Sequence, residues 1–349
     1  MRMKISEAVA ESPTKHVEPT RLKPSETVAE PTAKYTRYLK EVQQALAGRL
    51  SSGERRRLEA ELRLLNRARF VWLNGVVHHY QDEGPRDGQP LVLVHGWDCS
   101  AFWWHHVVDP MVAAGYRVII YDLKGHGFSD IDPGATYTIE SFSADLRKLV
   151  EVLALPSQHI MAFSLGAAVA LHYAAHYSEQ VRSLVFLNFG VFSQNPLTMS
   201  LIPSMLDAIF NKVLRPITQQ GLWFLPYVYA RLFLAKNTPS VNDIMLGTLG
   251  VRLCDPEAVR VSAKELAKPE VIQSIPQQMQ QLTQPVLLVA GKDDPVVRPE
   301  SGRKLMAVAQ NGSFMEIPRC GHVILFELPE LVVQILRQHL RAATGNQEK

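Results

Sequence analysis

The sequence predicts an α/β protein: a mostly parallel sheet with helices on both faces and a helical insert at one edge of the sheet. Three observations predict it. Short, wholly apolar runs alternate with longer helical patterns from about residue 90 onward. Strands that carry apolar residues on both faces need cover on both sides, as parallel sheets with crossover helices provide. Residues 190–283 interrupt the alternation with helical patterns and no clear strand. Finally, a composition of 46% hydrophobic and 20% charged residues over 349 residues can bury a large core, which excludes a wholly disordered or fibrous chain.

Residues 1–34 are rich in Glu, Lys, Pro, Thr and Ser, and their few apolar side chains predict a disordered tail. Residues 35–69 read as a basic amphipathic helical extension. Leu39, Val42, Leu46 and Leu50 recur at helical spacing, and Ser51 with Glu54 has capping-box spacing before Leu58, Leu62 and Leu65. The segment holds nine Arg or Lys against four Glu, a larger surplus than the whole chain's +3. Apolar runs on either side of Asn74-Gly75 predict a tight hairpin. Strands follow at 91–94, 117–121, 159–163, 181–187, 286–290 and 313–317. Helices are expected at 102–114, 139–154, 165–177, 299–309 and 328–341. The sheet domain is thus assigned to 70–189 and 284–349, with a helical cap over 190–283.

A balance of 37 basic and 34 acidic residues gives no sign of a nucleic-acid partner. Cys99, Cys254 and Cys320 show no pairing or zinc-ribbon pattern, which fits a reducing, cytoplasmic compartment. The N-terminal residues lack an export-type apolar run, and no apolar stretch reaches the roughly 18 residues of a membrane span. Peripheral membrane contact, through the cap or the basic extension, stays open. Oligomeric state is not legible.

Chemistry concentrates at three strand ends. Ala162-Phe163-Ser164-Leu165-Gly166 lies between a strand and a helix, so Ser164 would sit on a sharp turn with small neighbours two residues away. On its own it reads equally well as a helix cap. Gly291-Lys292-Asp293-Asp294-Pro295 follows another strand, and Gly321-His322 follows the last. Strand ends on one sheet edge converge, and a serine hydroxyl needs a base oriented by a carboxylate to attack at neutral pH. Metal binding is not expected. His172 and His176 have ligand spacing but no third ligand, while His78-His79 and His105-His106 are consecutive and should diverge. His126 reads as loop structure.

With His95-Gly96-Trp97, the run from Asp122 to Asp130 and the Cys320-Gly321-His322 loop followed by Glu327-Leu328-Pro329-Glu330, the sequence resembles the α/β-hydrolase superfamily in its single-helical-cap branch. The resemblance spans about residues 71–340. It implies the α/β-hydrolase fold, with Ser164 as nucleophile, His322 as general base and acid, and Asp294 rather than Asp293 as the orienting acid. The backbone N–H groups of Trp97 and Leu165 would form the oxyanion hole. Haloalkane dehalogenases and epoxide hydrolases of this branch carry Asp at the nucleophile position, so Ser164 argues against both. The implied function is cleavage of a fairly apolar, ester-like small molecule through an acyl-enzyme, without a cofactor. Carbon–carbon or thioester hydrolysis on the same triad, or a ligand-binding protein of the same fold, are the alternatives. The apolar first half of the insert makes Leu222, Trp223 and Phe224 the expected substrate-binding residues.

Overall fold

The computed structural model describes residues 27–191, 196–220 and 224–345. Eight strands form one sheet: β1 (Arg69–Leu73), β2 (Val76–Glu83), β3 (Pro90–Val94), β4 (Arg117–Tyr121), β5 (Gln158–Phe163), β6 (Val181–Leu187), β7 (Val286–Gly291) and β8 (Gly312–Ile317). Their order is β1-β2-β4-β3-β5-β6-β7-β8. The β1–β2 and β2–β4 pairs are antiparallel, and every pair from β4–β3 onward is parallel. Asn74 and Gly75 both take positive φ, 47° and 84°, as a two-residue turn between twisted strands requires.

The helices that cover the sheet are amphipathic where one face is wet and apolar where both are buried. On one face lie α4 (Ile139–Val152), α5 (Leu165–His176) and α12 (Pro299–Met306). Phe142, Leu146, Leu149, Val169 and Leu305 meet Val92, Ile160 and Leu288 there. On the other lie α3 (His105–Ala113), a short α13 (Ile324–Glu327) and α14 (Pro329–Gly345). Val107, Met111, Ile324, Leu325, Val332 and Leu336 pack on Leu91, Leu93, Met161 and Val185. Helix α5 contains no Asp, Glu, Lys or Arg, and most of its side chains are buried, so it is held by packing on all sides rather than by one apolar stripe.

Between β6 and β7 the described residues form six α-helices: α6 (Pro196–Ile209), α7 (Arg215–Gln219), α8 (Phe224–Tyr229), α9 (Val241–Leu253), α10 (Pro256–Leu266) and α11 (Pro269–Gln281). Single π-helical turns, Phe210–Leu214 and Ala230–Leu234, follow α6 and α8. Polar and packing contacts place this insert over the loops that leave the parallel strands. Trp97 Nε1 donates to Val259 O at 2.8 Å, Asp255 N–H donates to Gly125 O at 2.7 Å, and Arg215 pairs with Asp98 at 3.0 Å. Burial pushes the Asp98 carboxyl up to about 6 although the Arg215 guanidinium opposes it.

At the N-terminal end, α1 (Ala33–Ala47) and α2 (Ser52–Leu65) form a hairpin against the β1–β2 edge. The Ser51–Glu54 capping box is present. Tyr35, Val42, Leu58 and Leu65 join Phe70, Val77, Phe102, Phe128 and Leu249 in a third cluster, so the extension touches both the sheet and the insert. The structure departs from the sequence reading at residues 27–34, which composition assigns to a disordered tail. Trp72 N–H donates to Thr27 O at 2.8 Å and Ala29 N–H to Phe70 O at 3.1 Å. Thr32 Oγ1 donates to Phe128 O and also caps α1, which therefore starts at Ala33. Backbone pairing on a sheet edge needs no apolar side chain, so composition does not register it.

Tyr35 is the anchor of this extension. It is buried, its ring meets Phe70 and Phe128 edge-on, and its hydroxyl donates to Leu65 O at 2.9 Å. Tyr35→Phe should cost about 1 kcal/mol through the lost hydrogen bond. Tyr35→Ala should cost about 3 kcal/mol or more through the cavity it leaves. Urea denaturation of the two variants checks both; equal and small losses would show that the extension is not cemented by this ring.

Candidate active site

The site is built where the sheet changes winding direction. β3 lies between β4 and β5, so the loops leaving β3 and β5 turn to opposite sides and open a crevice at the carboxyl edge. Ser164 follows β5 and precedes α5 with φ 50° and ψ −117°. Non-glycine residues rarely hold such a backbone, which costs about 1–3 kcal/mol. Ser164 N–H donates to Leu187 O at 3.0 Å, and Ser164 O accepts from Ala167 N–H at 2.9 Å. Two glycines make room for the turn. A side chain at Gly166 would run into the carbonyls of Val94 and His95, and one at Gly96 would press on the Phe163 ring. The loop carrying Trp97 therefore lies directly against the turn carrying Ser164. Leu165 is the first residue of α5, where helix N–H groups have no partner within the helix.

His322 and Asp294 come from the loops after β8 and β7. Asp294 Oδ2 lies 2.7 Å from His322 Nδ1, and Asp294 Oδ1 accepts from the N–H groups of Val296 and Val297 at 2.7 and 2.9 Å. A carboxylate with no proton only accepts, so Nδ1 carries the hydrogen and Nε2 keeps a lone pair. Asp294 is buried whereas its neighbour Asp293 is exposed. The Phe163 ring lies 5.1 Å from that of His322. Among the described residues, no hydrogen bond joins the Ser164 hydroxyl to His322. Such bonds are often long until a substrate tightens them. Ser164 is partly exposed.

Two residues that hold the histidine loop carry roles the sequence reading did not assign. Asn188, at the end of β6 with φ 48°, donates from Nδ2 to Gly321 O and His322 O at 3.1 and 2.6 Å, and its Oδ1 accepts from Gly291 N–H at 2.8 Å. It ties three strand ends together. The available signal is its position: a strand-end Asn is one of the few residues that tolerates a left-handed backbone. Glu327 accepts from Gly321 N–H and from the N–H groups of Lys236 and Asn237 in the insert. His322 N–H itself donates to Leu234 O at 2.7 Å. The insert thus clamps the backbone of the residue beside Asp294.

Beneath the crevice, Asp122 accepts from Ala101 N–H, Phe128 N–H and His79. Burial alone would raise its carboxyl, but His79 and these donors outweigh it and hold it at about 2. Burial lowers His126 to about 3, leaving it neutral and bonded to Lys124 O, as loop structure rather than as a base. Of the expected substrate residues, Leu222 and Trp223 lie outside the described residues, and Phe224 opens α8. One sequence expectation is overturned. His105 and His106 do not diverge: their rings lie 3.9 Å apart and both Nε2 atoms meet Asp243 Oδ1, at 3.0 and 2.8 Å. The cause is the junction of a 3₁₀ turn, Ala101–Trp104, with α3. It lets His105 Nδ1 bond Phe102 O at 2.9 Å and turns that ring beside the next.

Comparison with known proteins places this architecture. The chain is 27% identical over 263 residues to a 2-hydroxy-6-oxononadienedioate/2-hydroxy-6-oxononatrienedioate hydrolase of Paraburkholderia xenovorans, covering 72% of this chain and 86% of the relative. A bromoperoxidase from Bacillus anthracis superposes with a TM-score of 0.63 at 21% identity, over 79% of this chain and 97% of that one. A thermophilic esterase from Thermogutta terrifontis gives 0.62 at 24% identity, over 77% and 94%. The profile described as alpha/beta hydrolase fold matches residues 89–329, and the chain belongs to that family.

Proposed function

We propose that the protein is a serine hydrolase that cleaves a fairly apolar carboxylic ester. The observation that carries the reading is Ser164 in its left-handed turn at the winding switch of the sheet, with an Asp294-bonded His322 on the loops after β7 and β8 at the same sheet edge. In this reading Ser164 Oγ attacks the ester carbonyl while His322 Nε2 takes the hydroxyl proton. The oxyanion that forms is held by the N–H groups of Leu165 and Trp97, each contributing about 3 kcal/mol. The imidazolium, steadied by Asp294, gives its proton to the leaving alcohol. Water then repeats the sequence on the acyl-enzyme. None of these steps calls on a metal or other cofactor.

Substrate apolarity rests on the insert, which packs on the loops leaving the parallel strands and is dense in Leu, Ile, Met and aromatic residues over 201–227. Each substrate methylene buried beneath it adds about 0.8 kcal/mol. Two further acyl carbons should therefore raise kcat/KM roughly tenfold until the pocket is full. Esters from hexanoate to decanoate should outpace acetate in a p-nitrophenyl series. Polar replacements at Leu222, Trp223 or Phe224 should flatten that profile. A profile that peaks at acetate would remove the apolar-substrate part of the reading.

The acid is tested separately. Asp294→Asn should lower kcat by about four orders of magnitude, because the amide favours the wrong imidazole tautomer. Asp293→Asn, at an exposed side chain, should change it less than about twofold. Steady-state kinetics of the two variants check this, and equal losses would reassign the acid.

A further inference from the structure

The His105–His106–Asp243 cluster lies outside the hydrolytic site, and its two ring nitrogens converge on one carboxylate oxygen. The carbonyl of Phe102 can only accept, so the hydrogen of a neutral His105 sits on Nδ1. Its Nε2 lone pair then points at the Asp243 carboxylate from 3.0 Å. His106 Nε2 approaches the same oxygen at 2.8 Å. Protons on both Nε2 atoms would let the two rings donate to Asp243 Oδ1, with the His105 imidazolium then set 3.9 Å from the neighbouring ring. A cation in place of those protons would use both lone pairs and the carboxylate charge at once.

We propose that His105, His106 and Asp243 form a site for one divalent transition-metal ion of the zinc class, bridging α3 of the sheet domain to α9 of the insert. The three ligand atoms lie within 4.8 Å of one another. Tetrahedral zinc, with ligands at about 2.0–2.2 Å, places its donors about 3.3 Å apart. That spacing needs the 2.8 and 3.0 Å contacts to open by a few tenths of an ångström and the two ring nitrogens, now within 4.8 Å of each other, to settle at the same separation. Supporting bonds that orient metal ligands are in place. Phe102 O fixes the His105 ring, and Ser240 Oγ donates to the second Asp243 oxygen at 2.7 Å. An entry path exists: the His106 side chain is 36% exposed. A cleft of about 610 Å³ between the N-terminal helices, α3 and α9 reaches all three ligands, leaving room for water in the fourth position.

The N₂O donor set favours zinc, cobalt, nickel or copper over magnesium and calcium, which prefer oxygen shells. Consecutive histidines form this pair, whereas His172 and His176, whose rings stack at 4.1 Å on α5, show the usual spacing but gain no third ligand among the described residues. That pair provides the internal control. The proposal is independent of the hydrolytic reading, since Ser164, His322 and Asp294 take no part in it.

The test is calorimetric titration of the chelator-treated full chain, without an affinity tag, with zinc chloride. A parallel cobalt titration is followed by visible absorption. Wild type should bind one equivalent, give the intense cobalt bands of a four-coordinate site, and melt several degrees higher with zinc. His106→Ala and Asp243→Asn should each weaken zinc at least tenfold and abolish the melting shift, while His172→Ala should leave both unchanged. His106 is half-exposed, so its variant folds without loss of a core contact. No saturable binding by wild type, or binding that survives His106→Ala and Asp243→Asn but fails in His172→Ala, would overturn the proposal.

Discussion

The left-handed backbone at Ser164 opposes the intrinsic preference of a serine, and the surrounding architecture exists to hold it there. The turn is pinned from below by Leu187 O and from within by Ala167 N–H. It fits only because the chain is stripped to glycine on both sides of the contact. Gly166 lets α5 start against the carbonyls at the end of β3, and Gly96 lets the next loop cross over Phe163. Close packing in the interior leaves the turn no room to relax. A partly exposed serine at the carboxyl edge of the sheet is the result, and the same contacts set Trp97 beside it.

Buried polar groups then fix the loops that surround this point. Asp122 gathers three donors from the loops after β3 and β4 and from β2. His95 Nε2 accepts from Leu123 N–H at 3.0 Å, which joins those two loops directly. Asn188 does the same for the strand ends on the other side. The insert is bound through its middle: Arg215 to Asp98, and Leu234 O to the backbone of His322. Buried, hydrogen-bonded charges of this kind are costly to break from one side, because the partner is left unpaired. Position of the insert and position of the histidine loop are therefore coupled.

Much of this was legible because it rests on local rules. Asn74-Gly75 demanded a tight turn, Ser51 and Glu54 a helix start, and alternating apolar runs a covered parallel sheet; all three are present. The positions of Ser164, Asp294 and His322 at strand ends were legible for the same reason, since chain order and sheet topology bring such ends to one edge. What escaped the sequence depends on long-range contacts. Thr27 and Ala29 pair with β1 through backbone hydrogen bonds. Asn188 acts through two carbonyls more than a hundred residues away. His105 and His106 converge because a 3₁₀ turn precedes α3 and because α9 presents Asp243 from the insert. No helical spacing rule applied to α3 alone reveals that.

Covalent capture of the nucleophile tests the central claim most directly. A fluorophosphonate probe reacts with a serine only where a neighbouring base and an oxyanion hole activate it. Intact-mass and peptide analysis of the treated full chain should find one probe per molecule, attached to Ser164, with labelling nearly absent in the folded His322→Ala variant. Absence of labelling in folded wild type, or a probe carried by another residue, would contradict the account.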